Sequence, residues 1–103
     1  MQGELKDNPG KKRYEIWADG ELAGFADYEL ERGRITFSHT EIDSEYEGSG
    51  LGSRLAAEVL DDARNRGLGV VPHCEFIASY IAGHEEYLDL VVPSLRARVR
   101  ANG

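Results

Sequence analysis

Three glycines in five residues, Gly48-Ser49-Gly50-Leu51-Gly52, stand directly before the most regular amphipathic stretch of the chain. Glycines lack Cβ atoms, so backbone N–H groups there can close on an anion, and a helix beginning at the loop adds roughly half a positive charge. A phosphate or diphosphate fits such a cradle; the plainer reading is a glycine turn that only enters a helix. No Lys-Ser or Lys-Thr pair follows the loop, and no acidic residue ends a second strand about 20 residues on, which disfavours a P-loop and a dinucleotide fingerprint. Cys74 is the one cysteine. It is either a small buried apolar residue or, with a base or cation nearby, a nucleophile. His39, on a strand just before the polar connection, is the candidate base. His73 adjoins Cys74 and points to the opposite face of a strand, which makes it a structural residue. His84 belongs on the surface. A zinc set of His39, His73, His84 and Cys74 fails on spacing, because adjacent ligands cannot both reach one tetrahedral ion, so no metal is expected.

These residues need elements to hold them. Tyr14, Ile16 and Ala18 alternate with polar neighbours, Asp19-Gly20 supplies a tight turn, and Leu22, Gly24, Ala26, Tyr28 and Leu30 share one face of the return strand with Phe25 on the other. Arg32-Gly33 turns the chain into Ile35-Thr36-Phe37-Ser38-His39-Thr40, so three antiparallel strands are expected. The polar run 41–47 carries four carboxylates; Glu41 and Glu45 either meet a cationic substrate or are solvated. Leu51, Leu55, Val59 and Ala63, with Ala56 and Leu60 beside them, predict a helix that Gly67 ends. Residues 69–74 then read as a short buried strand, and a strand–helix–strand crossover implies parallel pairing with an earlier strand. Near-helical spacing continues over 76–87 with Gly83 as an interruption, and Pro93 opens a short final helix. Residues 1–12 lack apolar periodicity and are expected to be a loose, flexible segment ahead of one domain over 13–103.

At 103 residues the chain allows a single core. Its charge, 12 − 19 = −7, repels phosphate backbones and anionic lipid, so nucleic acid is excluded as a partner and a cationic amine is favoured. No apolar run approaches the roughly 20 residues of a bilayer span. With one cysteine and no signal-peptide core in MQGELKDNPGKKR, a soluble, cytoplasmic protein is expected.

Glu47-Gly48-Ser49-Gly50-Leu51-Gly52 resembles the acetyl-CoA loop of the GNAT superfamily of N-acetyltransferases, whose pattern is Gln or Arg, two residues, Gly, one residue, Gly or Ala. The departure is Glu47, a carboxylate where that pattern has Gln or Arg. From about residue 13 to 91 the order of elements is similar to the GNAT core. More narrowly, His39-Thr40-Glu41, the glycine loop, and Val71-Pro72-His73-Cys74-Glu75-Phe76-Ile77 with Tyr80 and His84 resemble the minimal YjdJ-type GNAT-like family. The resemblance implies an α+β GNAT-like (acyl-CoA N-acyltransferase) fold with a mixed, mostly antiparallel sheet. It implies acetyl-CoA or coenzyme A held by Ile42, Gly48, Ser49, Gly50, Leu51, Gly52 and Ser53 in a cleft between parting strands, with Arg54 either reaching a phosphate or pairing with Glu58. It further implies acetyl transfer to an amine-bearing small molecule or a lysine-containing peptide, through Cys74 or by direct attack with His39 as base, and Tyr80 as the acid at the departing thiolate. A CoA-binding or protein-interaction module with little catalysis is the alternative. Oligomeric state is left open by the residues.

Overall fold

In the computed structural model, which describes residues 3–101, five strands form one sheet in the order β1-β2-β3-β4-β5. Strands β2 (Arg13–Ala18), β3 (Glu21–Glu31) and β4 (Arg34–Ile42) are the expected antiparallel meander. Its turns take positive φ at both central residues, 52° and 78° at Asp19-Gly20 and 48° and 78° at Arg32-Gly33, the hairpin geometry that matches strand twist. Strand β5 (Gly69–Pro72) lies parallel to β4, with Phe37 opposite Pro72. It stops two residues short of the expected strand end, and Cys74 begins the next helix instead. Leu30, expected on the inner face, is exposed near the turn.

Residues 4–8 correct the expectation of a loose terminus. They form β1 (Glu4–Asn8), antiparallel to β2. Only Leu5 is apolar there, so period-2 patterning is invisible, yet Leu5 packs on the core and Asp7 accepts a 2.5 Å hydrogen bond from the Tyr28 hydroxyl. Glu4 and Lys6 are exposed on the outer strand, where charge discourages further strand pairing.

Helix α1 (Leu51–Asn65) presents Leu51, Leu55, Ala56, Val59, Leu60 and Ala63 to Tyr14, Ile16, Ala26, Ile35 and Phe37. Gly67, at φ 68°, ends it: the Gly67 N–H reaches Arg64 O and the Leu68 N–H reaches Ala63 O. Helix α2 (Glu75–Gly83) follows β5, a run of 3-10 turns covers Glu85–Leu90, and α3 (Arg96–Ala101) closes against α2 through Val99. The helices and one face of the sheet share a single apolar cluster, to which Trp17, Phe25 and Val71 on the other face do not belong. Among the described residues no helix is long and apolar enough to cross a membrane.

An irregularity in β4 decides which of its side chains face inward. Phe37 faces Tyr28 and His39 faces Asp27, leaving Ser38 as an extra residue, a bulge. A one-residue insertion reverses the faces of everything after it. Ile35 and Phe37 are fully buried on the inner face; beyond the bulge Thr40 and Ile42 take that face, while His39 and Glu41 turn outward.

Candidate active site

Past Phe37, β4 stays paired with β3, but β5 has ended. The Cys74 N–H makes the last tie across, to Phe37 O at 2.8 Å. The gap between the parted strands is a cleft of about 280 Å³ lined by Thr40, Ile42, Tyr46, Glu47, Gly48, Gly52 and Phe76. Its floor is anchored by Tyr46, which is buried and lies in the 3-10 turn Ser44–Tyr46 that Asp43 caps through the Glu45 N–H.

The glycine loop borders this cleft. Gly48 and Gly50 have φ of 78° and 88°, a region costly for any residue with a Cβ, and nothing lies within 4 Å of where a Cβ would stand. Gly52 matters for another reason: a Cβ there would lie 3.0 Å from the Phe76 ring, which would have to shift by a few tenths of an ångström. Two amides are used inside the loop, Ser49 N–H to Tyr46 O and Leu51 N–H to Ser49 Oγ. Among the described residues the N–H groups of Gly48, Gly50, Gly52 and Ser53 have no protein acceptor, as expected at a helix start with no side-chain cap. Of the expected donors, Ser49 and Leu51 therefore brace the loop. Because the Asp43 N–H donates to Ala23 O, alternation along β4 turns the Ile42 N–H to the opposite edge, the one β5 has vacated.

Cys74 sits at the start of α2, 7% exposed, and its Sγ–H donates to Thr40 Oγ1 at 3.1 Å. Its expected partner His39 is on the other side of the sheet. That imidazole lies 6.1 Å from the Phe25 ring and its Nε2 is 3.2 Å from Glu41 Oε1. The bulge at Ser38 is the physical reason: strict alternation from Phe37 would have put His39 inward.

Tyr80 packs between two other rings. Its ring stacks on His84 at 3.9 Å and faces Tyr87 at 6.1 Å, and burial, with the charges of Glu86 and Asp61, pushes its hydroxyl above the usual range. The exposed His84 holds Tyr80 O at 2.8 Å through Nδ1, which must carry the proton since a carbonyl only accepts. His73 is exposed. Arg54 pairs with Glu58 at 3.6 Å, the surface alternative, and Glu47 stands exposed on the cleft wall. Sequence reasoning missed Thr40, Tyr46 and Phe76 as parts of the site. Phe76, spaced like a core residue, instead leans over Gly52, 39% exposed.

Free amides at a helix start, a cleft between parting strands and a thiol bonded to one of its lining residues form an arrangement whose chemistry suits a phosphorylated thioester. Residues 13–90 match the family of GCN5-related N-acetyl-transferases. No curated protein matches the sequence. A GCN5-like protein from Staphylococcus aureus, solved in solution by NMR, superposes with a TM-score of 0.67 at 22% identity, over 86% of this chain and 87% of that one. N-acetylglutamate synthase from Neisseria gonorrhoeae, in complex with coenzyme A and N-acetyl-glutamate, superposes at 0.51 with 19% identity over 89% of this chain. This chain corresponds to 23% of that enzyme, so only the fold is shared. The chain belongs to the GCN5-related N-acetyl-transferase family, and its mixed five-stranded sheet with flanking helices is the acyl-CoA N-acyltransferase fold.

Proposed function

We propose that the protein transfers an acetyl group from acetyl-CoA to an amine by way of Cys74. The observation that carries this reading is the hydrogen bond from the Cys74 thiol to Thr40, a residue that lines the cleft together with Gly48 and Gly52 of the glycine loop. Acetyl-CoA supplies the activated thioester. The N–H groups of Gly48, Gly50, Gly52 and Ser53 would hold its diphosphate, and the Ile42 N–H on the vacated edge of β4 would pair with its pantetheine amides.

In the first exchange the Cys74 S–H is replaced by an S–acetyl bond, the donor's S–acetyl bond breaks, and coenzyme A leaves as the free thiol with that proton. In the second, an amine nitrogen takes the acetyl carbon, one N–H proton returns to the Cys74 sulfur, and the amide departs. The acceptor is an amine-bearing small molecule or a lysine side chain of a peptide, drawn by the net charge of −7. His39 has no part in these steps, since the bulge at Ser38 turns it to the other side of the sheet from the thiol.

Incubation with acetyl-CoA and no acceptor, followed by intact-mass and peptide analysis, should trap one acetyl group on Cys74, and an added amine should discharge it. Cys74→Ser should abolish the trapped species and lower turnover at least about 100-fold. A Cys74→Ser protein that turns over normally contradicts the covalent route. The CoA-binding module is the second reading, favoured by Glu47, whose carboxylate on the cleft wall opposes a diphosphate. Bound CoA with no acetylation of any amine would select it.

A further inference from the structure

The bulge at Ser38 does more than remove His39 from the inner face, because it places Thr40 there, and Thr40 holds the only cysteine of the chain. We propose that Thr40 is the positioning residue of Cys74, fixing its sulfur at the cleft and steadying it when the thiol gives up its proton. The proposal rests on the reading that Cys74 carries the acetyl group.

A threonine hydroxyl has one donor and two acceptor sites and a freely turning hydrogen. It accepts the S–H while the thiol is protonated, at the observed Sγ···Oγ1 distance of 3.1 Å, and by rotating it donates to the sulfur once that is ionised. Among the described residues the sulfur makes no other hydrogen bond. His39 and Glu41 on β4 point to the far face. On the connection and α2, His73 and Glu75 flank Cys74 in the chain and are exposed, and on the loop Glu47 stands on the cleft wall. A carboxylate repels an ionised sulfur, so Glu75 and Glu47 work against it. The α2 start, whose first amides lie beside Cys74, works for it together with Thr40. Thr40 itself is only half-buried and lines the cleft, so it borders the space a thioester would enter.

Because Cys74 is the only cysteine, its chemistry can be read without any acetyl transfer. Iodoacetamide alkylation measured against pH should show a midpoint about one pH unit higher in Thr40→Val than in the unaltered protein, while Thr40→Ser keeps the original midpoint. At a fixed pH below the midpoint the Val variant should react about threefold slower or more, the gain in intrinsic nucleophilicity offsetting part of the lost ionisation. Thr40→Ala lacks the hydroxyl and leaves more room; it should share the shifted midpoint even if its sulfur is more accessible, which separates positioning from packing. Midpoints equal in all four proteins, or a Ser variant that behaves like Val, would overturn the proposal. A shifted midpoint with no acetyl group trapped on Cys74 would leave the role of Thr40 standing and remove the covalent reading instead.

Discussion

The two ends of the sheet spend their polar groups in opposite ways. Where β1, β2 and β3 meet the last turns of α1, hydrogen-bonding partners are found within the protein: the Tyr14 hydroxyl donates to Asp62 at 2.5 Å, Arg66 reaches both Tyr14 and Asp62, and Tyr28 donates to Asp7. The rings of Tyr14 and Tyr28 pack 5.1 Å apart beneath that network. At the other end, where β4 parts from β5 and α1 begins, four N–H groups among the described residues have no protein acceptor and two glycines hold positive φ facing open space. Both ends of α1 use a left-handed glycine, Gly67 and Gly50, but only Gly67 is followed by bonds that close its helix terminus. A satisfied helix end stabilises the fold, whereas an unsatisfied one that borders a cleft is available to a ligand.

Unpairing the closed end should cost the most. Tyr14→Phe should lower stability by about 1–3 kcal/mol, because Asp62 loses a hydrogen bond to a charged acceptor while the rings still pack. Urea unfolding should show that loss, and coenzyme A affinity should stay unchanged. A fall in affinity would mean that the two ends are coupled.

The glycine pair separates stability from binding. Gly50→Ala and Gly67→Ala should each lower stability by about 1–2 kcal/mol, since both positions hold positive φ. Only Gly50→Ala should weaken coenzyme A binding, as measured by calorimetry. Equal weakening by both would show that the effect is global destabilisation and not loss of a cradle.

The effect of pH on the closed end is nil near neutrality and emerges only in alkali. Burial, reinforced by Asp7, pushes the Tyr28 hydroxyl up to about 12, and burial with Asp62 pushes Tyr14 well above the usual tyrosine range. A raised value in the folded state means the neutral form is favoured there, so the associated stability is complete below about pH 10 and is lost as pH rises through about 12. Thermal melts between about pH 9 and about pH 12, in steps of about one unit, should show a decline that Tyr14→Phe makes shallower.

Much of this arrangement could be read from residue order. Asp19-Gly20 and Arg32-Gly33 announce their turns, the Leu51 to Ala63 stripe announces α1, and the strand–helix–strand order announces a parallel β5, although only Val70 of its two valines joins the core. Strand β1 was hidden because one leucine among charges carries no period, and its place is secured instead by pairing with β2 and by the Tyr28–Asp7 bond. The glycine loop was legible since two of its glycines, Gly48 and Gly50, answer to local φ. The partner of Cys74 was not. One extra residue, Ser38, exchanges the faces of His39 and Thr40, and a bulge set by the pairing of β4 with β3 leaves no mark in the composition of β4 itself. Tyr80 lies six residues, about one and two-thirds helical turns, beyond Cys74 and stacks on His84.

The cradle itself is tested by a calorimetric comparison of acetyl-CoA with S-acetylpantetheine, which carries the same thioester but no diphosphate. If the amides of residues 48–53 hold the diphosphate, acetyl-CoA binds and the truncated thioester binds at least about tenfold more weakly, a difference of about 1.4 kcal/mol. Equal affinities, or no heat with either compound, would contradict the account.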